Sequence, residues 1–534
     1  MARHTKPIQA MPELAIGLVR SIGTELDVVE KPLKGILRQA QYLYSPIKLT
    51  DSIHQDYVPS IDLSVTGEYD RYLAYMNAGD GLRRATGLND FIIRSSLPSL
   101  ADSRRKSGKR GRAFVFRSLM HPDEHALLQQ IYGNRYFTIA AYEEYDKRSE
   151  RLAKNIAQGK GEKTPTVQGR VIELMHRDEG LLAPDDQSGS WRLNITKTFF
   201  RADLFVDAGR ASESQAAVER FIRLIFSNPF HTPSQDEQGM AFAYSAALRS
   251  GALARPVGAA IMSPGGDLIS VGMNDVAKPG GGQYWEGDNP DHRDLTYEDD
   301  PSDRYRRDVF SDLIARLMSD RWLRDELASS AKSRKKLGEA LDGLAADPSA
   351  SVDMLIKSEI VERSQLFDII EFGRTIHAEL SAITTAARNG FSTRDATLYV
   401  STFPCHECTR NIVAAGIKRI VYVEPYPKSR LDDLYSDTVR NVSRSHGAID
   451  GIHVEPFIGI SPTRQSALFS WVDRKHSLSE GGSRVDWDIE SASLRPTVSP
   501  TGAATSFFQA GLQMEAAANK IFSDRMVDLA RHPE

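Results

Sequence analysis

The sequence predicts an α/β protein of two domains, in which a parallel α/β domain precedes a three-layer α/β/α domain. Three observations carry that expectation. The chain has 534 residues, more than one hydrophobic core organises, so at least two domains are expected. Short β-branched and aromatic runs alternate with helical stretches over the first 230 residues, as in parallel strands joined by crossover helices. Further on, a hairpin pattern is followed by a lone strand that runs into the only two cysteines of the chain, Cys405 and Cys408.

The first domain is expected over residues 1–230. It opens with the buried-strand pattern Glu13 to Val19, which leads into Arg20-Ser21-Ile22-Gly23-Thr24. A strand, a glycine turn and a helix in that order suit phosphate binding, and Gly17, Gly23 and Thr24 are the candidate nucleotide-loop residues. The Walker spacing is not met: Gly17 and Gly23 are one residue too far apart and no Lys precedes Thr24. Phosphate transfer is therefore not expected, and nucleotide binding stays open. Further strands are predicted at Ala113 to Arg117, Tyr136 to Ala141 and Asp203 to Val206. The basic run from Arg104 to Arg112 reads as a solvated loop, with a phosphate or nucleic-acid contact as the alternative.

The second domain is expected over 231–480. Thr232 before Pro233 reads as the cap of a helix reaching Ala252. Val257 to Ser263 and Asp267 to Gly272 form a hairpin around Pro264-Gly265-Gly266. A charged helical insert of about 286–366 follows, with a helix from Arg304 to Ala328 and a break at 348–351; it reads as a cover over the site or an oligomer contact. His377-Ala378-Glu379 starts a helix with Leu380, Ile383, Ala386 and Ala387 on one face, stopped by Asn389-Gly390. The strand Thr397 to Thr402 delivers Pro404-Cys405, where another helix opens, and Arg419 to Val423 is the next strand. Residues 481–534, with Gly-Gly-Ser and Ser-Pro-Thr-Gly, read as a partly flexible tail before a short helix near 510–530.

The sharpest chemistry lies in His-x-Glu at 377–379 followed by Pro-Cys-x-x-Cys at 404–408. One imidazole and two thiolates fill three tetrahedral positions on zinc and leave the fourth for water. His377, Cys405 and Cys408 are the candidate ligands, and Glu379 is a free acid able to move that water's proton. A structural zinc would close with four protein ligands, and no third cysteine exists. His406 is expected to face away, and Glu407 to be a first-turn helix acid.

These motifs, with Gly-Met-Asn-Asp at 272–275, resemble the deoxycytidylate deaminase branch of the cytidine deaminase-like superfamily. The longer context is similar to bacterial anti-phage deoxycytidine-nucleotide deaminases, which carry a P-loop kinase-like domain ahead of the deaminase. The segments behind it include Arg249-Ser250, Pro279 to Trp285, Glu424 to Ser429, Leu119 to Glu124 and Phe226-x-x-Pro229-Phe230. The resemblance implies one zinc ion per chain and hydrolysis of dCMP, dCTP or both to deoxyuridine nucleotides. Glu379 would then shuttle protons, Asn274 would contact the sugar, and Tyr426 and Lys428 would meet base or phosphate. A local reading of Asn274 as an ordinary turn residue stands beside that. Ser381 departs from the Asn common in the resembling proteins, and Tyr284 and Trp285 suit either pocket closure or a core. Depletion of deoxycytidine nucleotides during phage infection, a small RNA or nucleotide effector and a homo-oligomer are also implied.

Composition bounds these expectations. Net charge is −4, with 41% hydrophobic and 26% charged residues, which gives no overall nucleic-acid footprint. No apolar run suits a membrane span or a signal peptide, and two cysteines reserved for metal suit a reducing cytoplasm. Two rivals remain: a deaminase acting on cytidine or adenosine within nucleic acid, which needs a basic aromatic-lined groove, and a non-catalytic nucleotide-sensing defence module, which has no use for Glu379.

Overall fold

The computed structural model describes residues 12–531, apart from 55–56, 59, 106–110, 162, 181–190, 254, 298–299, 320–371, 427–428, 445, 448–449, 471 and 499–503. The chain forms two compact units. The first comprises residues up to 241 with 440–447 and 454–534; the second comprises 242–439 and 448–453. The second domain is expected from the sequence to run to residue 480. The structure instead assigns the chain after 454 to the first unit.

The first unit is built on β1 (Leu14–Arg20), β2 (Tyr42–Lys48), β3 (Gly111–Arg117), β4 (Tyr136–Tyr142) and β5 (Leu204–Asp207). Their order is β2-β3-β1-β4-β5, all parallel, and a two-residue antiparallel strand, Gly459–Ile460, extends the β5 edge. β1, β3 and β4 are buried at nearly every position, as strands covered on both faces must be. β2 escaped the sequence reading because Tyr-Leu-Tyr-Ser-Pro-Ile-Lys mixes polar residues and a proline, which the structure accepts at a sheet edge. Helix α1 (Asp27–Gln39) turns Val29, Leu33, Ile36 and Leu37 inward at helical spacing. Helix α2 (Ala211–Ile225) buries Val218, Phe221, Ile222 and Ile225 in the same core. Strand order reverses at β1, whose neighbours are β3 and β4, so the crevice at its C-terminal end is where open α/β sheets bind ligands.

Several expectations are corrected within this unit. Arg104 and Arg112 are not solvated. Arg104 pairs with Glu13 and Glu515, at 2.8 Å each, and Arg112 hydrogen-bonds Ser45 and Ser103 from a buried position. The remaining basic residues at 106–110 lie outside the described residues. The segment 481–498 is folded onto the core through Ile489, Val498 and the fully buried Arg495, whose side chain donates to the carbonyls of Leu224 and Asn228. Its Gly and Ser content hid those anchors. The terminal helix, Ala504–Arg531, is longer than expected.

Helix α3 (Gln235–Ala247) begins later than Thr232 predicts, and the boundary between the units falls within it. Ser234 is the cap: its hydroxyl accepts from the Glu237 amide, and Glu237 accepts from the Ser234 amide, a reciprocal capping pair.

The second unit's sheet includes the run β11-β10-β6-β7, ending at the edge strand β7, from β6 (Gly258–Met262), β7 (Leu268–Met273), β10 (Thr397–Thr402) and β11 (Arg419–Glu424). β6 and β7 form the expected hairpin, β6 is antiparallel to β10, and β10 and β11 are parallel. Two glycines on adjacent strands place helices on opposite faces. Gly272 pairs with Ala259, so Gly258 projects to the other side. A Cβ on Gly258 would lie 1.9 Å from the Ala243 carbonyl oxygen of α3. A Cβ on Gly272 would lie 2.3 Å from the Ala378 oxygen and the Ala382 nitrogen of α4 (Ala378–Arg388). The result is the three-layer α/β/α arrangement. Close approach also explains why the buried stripe of α4 is Ala378, Ser381, Ala382 and Ala386, while Ala387 is exposed and Leu380 and Ile383 are half-buried: only small residues fit against the strand backbone. The insert contributes helix Pro301–Ser319; its remainder lies largely outside the described residues.

Candidate metal centre and catalytic site

Two helix starts build the site. β10 ends at Thr402, and Cys405 caps α5 (His406–Ala414), its Sγ accepting from the Cys408 amide at 3.4 Å. His377 holds the N-cap position of α4 from an extended backbone without a side-chain cap bond, and α4 packs against α5. A two-residue ladder between β8 (Asp275–Val276) and β9 (Thr375–Ile376) sets His377 beside the end of the hairpin. This ladder is too short to carry a sequence pattern.

His377 Nδ1 lies 3.3 Å from Cys405 Sγ and 3.4 Å from Cys408 Sγ, and the three donor atoms fall within 4.8 Å of one another. Tetrahedral zinc with Zn–S of about 2.3 Å and Zn–N of about 2.0 Å needs N···S separations of about 3.5 Å. The donor set therefore fits one zinc ion without rearrangement. Cys405 and Cys408 are buried and His377 is half-buried. The thiol of Cys408 and the imidazole of His377 hold Cys405 down to about 4, against the cost of burial. Its hydrogen bond to Cys405 holds His377 up at about 9. Cys408, beside the Cys405 sulfur and buried, is pushed up. A bound cation would displace these protons, which couples affinity to pH.

Glu379 is 4% exposed, and burial followed by the Cys405 charge pushes its carboxyl up to about 7. It stands two residues after the ligand cap, in the first turn of α4, and is not among the grouped ligand atoms. Glu407 pairs with Arg410 at 2.7 Å, as a first-turn acid does, and His406 is half-buried with its Nδ1 unpartnered.

The substrate candidates fare unequally. Asn274 is buried and its side chain is engaged: Oδ1 accepts from the Val257 amide and the Ser250 hydroxyl, and Nδ2 donates to the Arg255 carbonyl. It ties the loop before β6 to the end of β7. Tyr426 is half-buried after β11, and Lys428 lies outside the described residues. Ser381 accepts from Gln283 Nε2 at 2.8 Å, and Gln283 also donates to the Met273 carbonyl, linking the glycine-rich turn to the helix of Glu379. Nothing local to Gln283 signals this. Tyr284 is buried, whereas Trp285 is exposed beneath the Arg249 guanidinium, 3.2 Å from its ring centre.

The loop of Gly17, Gly23 and Thr24 holds no open phosphate cradle. The carbonyls of Ile22, Gly23 and Thr24 accept from Arg148, Arg151 and Arg20. The Ile22 amide donates to Asp178 at 2.7 Å, and the Glu25 amide to Glu143 at 3.4 Å. Gly17 is a packing glycine, since a Cβ there would meet Leu119 and Tyr136. Gly23 takes φ +85° against Arg148, and the Thr24 hydroxyl is buried without a partner.

Among known proteins, the deoxycytidylate deaminases of Enterobacteria phages T2 and T4 are each 48% identical over 66 residues, 12% of this chain and 34% and 33% of theirs. ComE operon protein 2 of Bacillus subtilis is 45% identical over 53 residues, 10% of this chain and 28% of that one. The chain thus spans about a third of the length of the curated relatives it matches. A solved dCMP deaminase from the cyanophage S-TIM5 is aligned over all of its length and 42% of this chain, at 13% identity and a TM-score of 0.21, too slight a likeness to bear on function. Residues 233–424 match the family described as the cytidine and deoxycytidylate deaminase zinc-binding region, and His377, Glu379, Cys405 and Cys408 all lie inside that match.

Proposed function

We propose that this protein hydrolytically deaminates deoxycytidine nucleotides, dCMP, dCTP or both, to deoxyuridine nucleotides and ammonia. The observation that supports it most is a His/Cys/Cys zinc set with a buried carboxyl on the same helix start that is not itself a ligand. His377, Cys405 and Cys408 would hold the zinc, which when bound would make a water nucleophilic at neutral pH. Glu379 accepts a proton from that water as its oxygen bonds to C4 of the cytosine ring, and passes a proton to N3. It then carries the second water proton to the amino group, which leaves as ammonia when the C4–N bond breaks. The buried start of α4 keeps the carboxylate in place through each transfer.

The names of the phage relatives favour a free nucleotide over nucleic acid. Asn274 shapes the loop beside β6 and would reach the sugar through its one remaining amide proton. The first unit fits a kinase-like role in architecture, since β1 lies at a topological switch point, but not in chemistry. Its loop lacks the Walker lysine and is closed by carboxylates, which suits control over phosphate transfer. Depletion of deoxycytidine nucleotides in phage-infected cytoplasm, restrained by a small RNA or nucleotide effector in a homo-oligomer, completes the reading by resemblance.

Purified protein offered dCMP, dCTP, CMP and single-stranded DNA, with ammonia release measured, tests it. Release from a deoxycytidine nucleotide is expected. Release from single-stranded DNA alone would give the reading to the nucleic-acid rival, and release from none would end it.

A further inference from the structure

An open cavity of about 660 Å³ lies in the first unit, between the segment after α2 and residues 484–489. Two arginines line it, and each lies over an aromatic ring. The Arg484 guanidinium stacks 3.5 Å from the Phe230 ring centre, and that of Arg223 lies 5.6 Å from the Trp487 ring centre. Neither guanidinium makes a hydrogen bond or ion pair among the described residues, although Asp486 and Asp488 line the same cavity. A guanidinium stacked through its face keeps its N–H edge free, and that edge matches phosphate oxygens in pairs.

The walls are built. Trp487 Nε1 donates to the Phe226 carbonyl at 3.0 Å, and the Phe230 amide donates to Asn228 Oδ1 at 2.8 Å. Arg474 holds the Pro229 carbonyl at 2.8 Å, and Arg495 holds that of Asn228. Both aromatic platforms are thereby fixed before anything binds. His231 is kept below its ordinary range by burial and by Arg220 and Arg223, so it presents a neutral ring.

We propose that this cavity is a binding site for a nucleoside phosphate, with Arg223 and Arg484 taking the phosphates and the aromatic rings and carboxylates taking the base and sugar. The size is that of a small-molecule site. The two carboxylates select against a continuous polyanion, which would meet them at every register, and favour a ligand with amino or hydroxyl donors. The site belongs to the first unit and uses no residue of the zinc centre. It also lies apart from the closed loop after β1, so this unit would bind nucleotide away from the position its strand order suggests.

Isothermal titration of the full chain with ATP, GTP and dTTP, which carry no cytosine, tests the proposal. Tripolyphosphate and adenosine serve as part-ligands. At least one triphosphate is expected to bind saturably, at least tenfold more tightly than either part-ligand. Arg484→Glu, an exposed position, should weaken that binding at least tenfold while the melting temperature stays at the wild-type value. Trp487→Leu should weaken it as well. Absence of binding at millimolar nucleotide, or binding unchanged in both variants, would overturn the site. Tripolyphosphate binding as tightly as nucleotide would reduce it to an anion patch, and preferential loss of single-stranded RNA binding in Arg484→Glu would reassign it to nucleic acid.

Discussion

Each unit has a strand that ends in a turn and enters a helix, and the two turns have opposite fates. After β10, the turn holds Cys405 at a helix cap, and its sulfur joins Cys408 and His377 around a common point. After β1, the turn offers the same backbone opportunity, but Asp178 and Glu143 take its amides and three arginines take its carbonyls. The supersecondary unit is therefore neutral with respect to function. What decides the outcome is whether the polar groups at the turn are spent within the protein or kept for a ligand.

The largest break in this comparison should come from the metal side. Cys405→Ala or Cys408→Ala leaves two ligands, and zinc measured by atomic absorption should fall far below one per chain, with deamination lost and the second unit destabilised. One tightly held zinc per chain in either variant would show the ligand set to be wrong. Glu379→Ala separates chemistry from metal. Zinc content and melting temperature should hold, while ammonia release drops by at least about a hundred- to ten-thousand-fold. Loss of zinc in this variant would instead make Glu379 a ligand.

Packing gives the next effect. Gly272→Ala should cost about 1–3 kcal/mol in urea denaturation and lower activity, because its methyl group meets the α4 backbone at the Glu379 turn. Gly265→Ala, in the hairpin loop with no contact closer than 3.6 Å, is the matched control and should be near neutral.

The smallest effect sharpens the closed turn. Burial raises Asp178 to about 7, partly offset by the Ile22 amide and Arg148. The folded state therefore holds this proton more tightly than the unfolded chain. Its contribution is most favourable at low pH and is lost as pH rises through about 7. Between pH 5 and 7 the first unit should lose about 1–2 kcal/mol from this group. Asp178→Asn should remove that part of the slope in urea midpoints followed by tryptophan fluorescence, with deamination unchanged. An identical slope in the variant would place the titration elsewhere.

Much of the second unit was legible because its chemistry is written locally. The His-x-Glu and Pro-Cys-x-x-Cys spacings name ligands that the structure brings within 4.8 Å, and β-branched runs marked β6, β7, β10 and β11. What was hidden depends on contacts between distant segments. The face of α4 was misread because the larger residues Leu380 and Ile383 suggested a core stripe, whereas Gly272 admits only small ones. Gln283 touches Ser381 across 98 positions, and no periodicity announces such a bond. In the first unit, β1 looked like the strand of a phosphate loop, and only the positions of Asp178 and Arg151 show it closed. The glycines at 481–482 suggested a loose tail and masked Trp487 and Ile489, which close a core.

The return of the chain to the first unit after residue 454 has a consequence for synthesis. An amino-terminal domain ordinarily folds as it leaves the ribosome. Here the strand Gly459–Ile460 and the anchors Ile489, Arg495 and Val498 are made only after the whole second unit has emerged. The unit translated first must wait with part of its core uncovered, while the zinc-binding unit, complete earlier, can finish and take up metal. Any stall or truncation between 454 and 498 would then yield a folded metal unit attached to an unfinished partner, and the order of maturation runs against the order of translation.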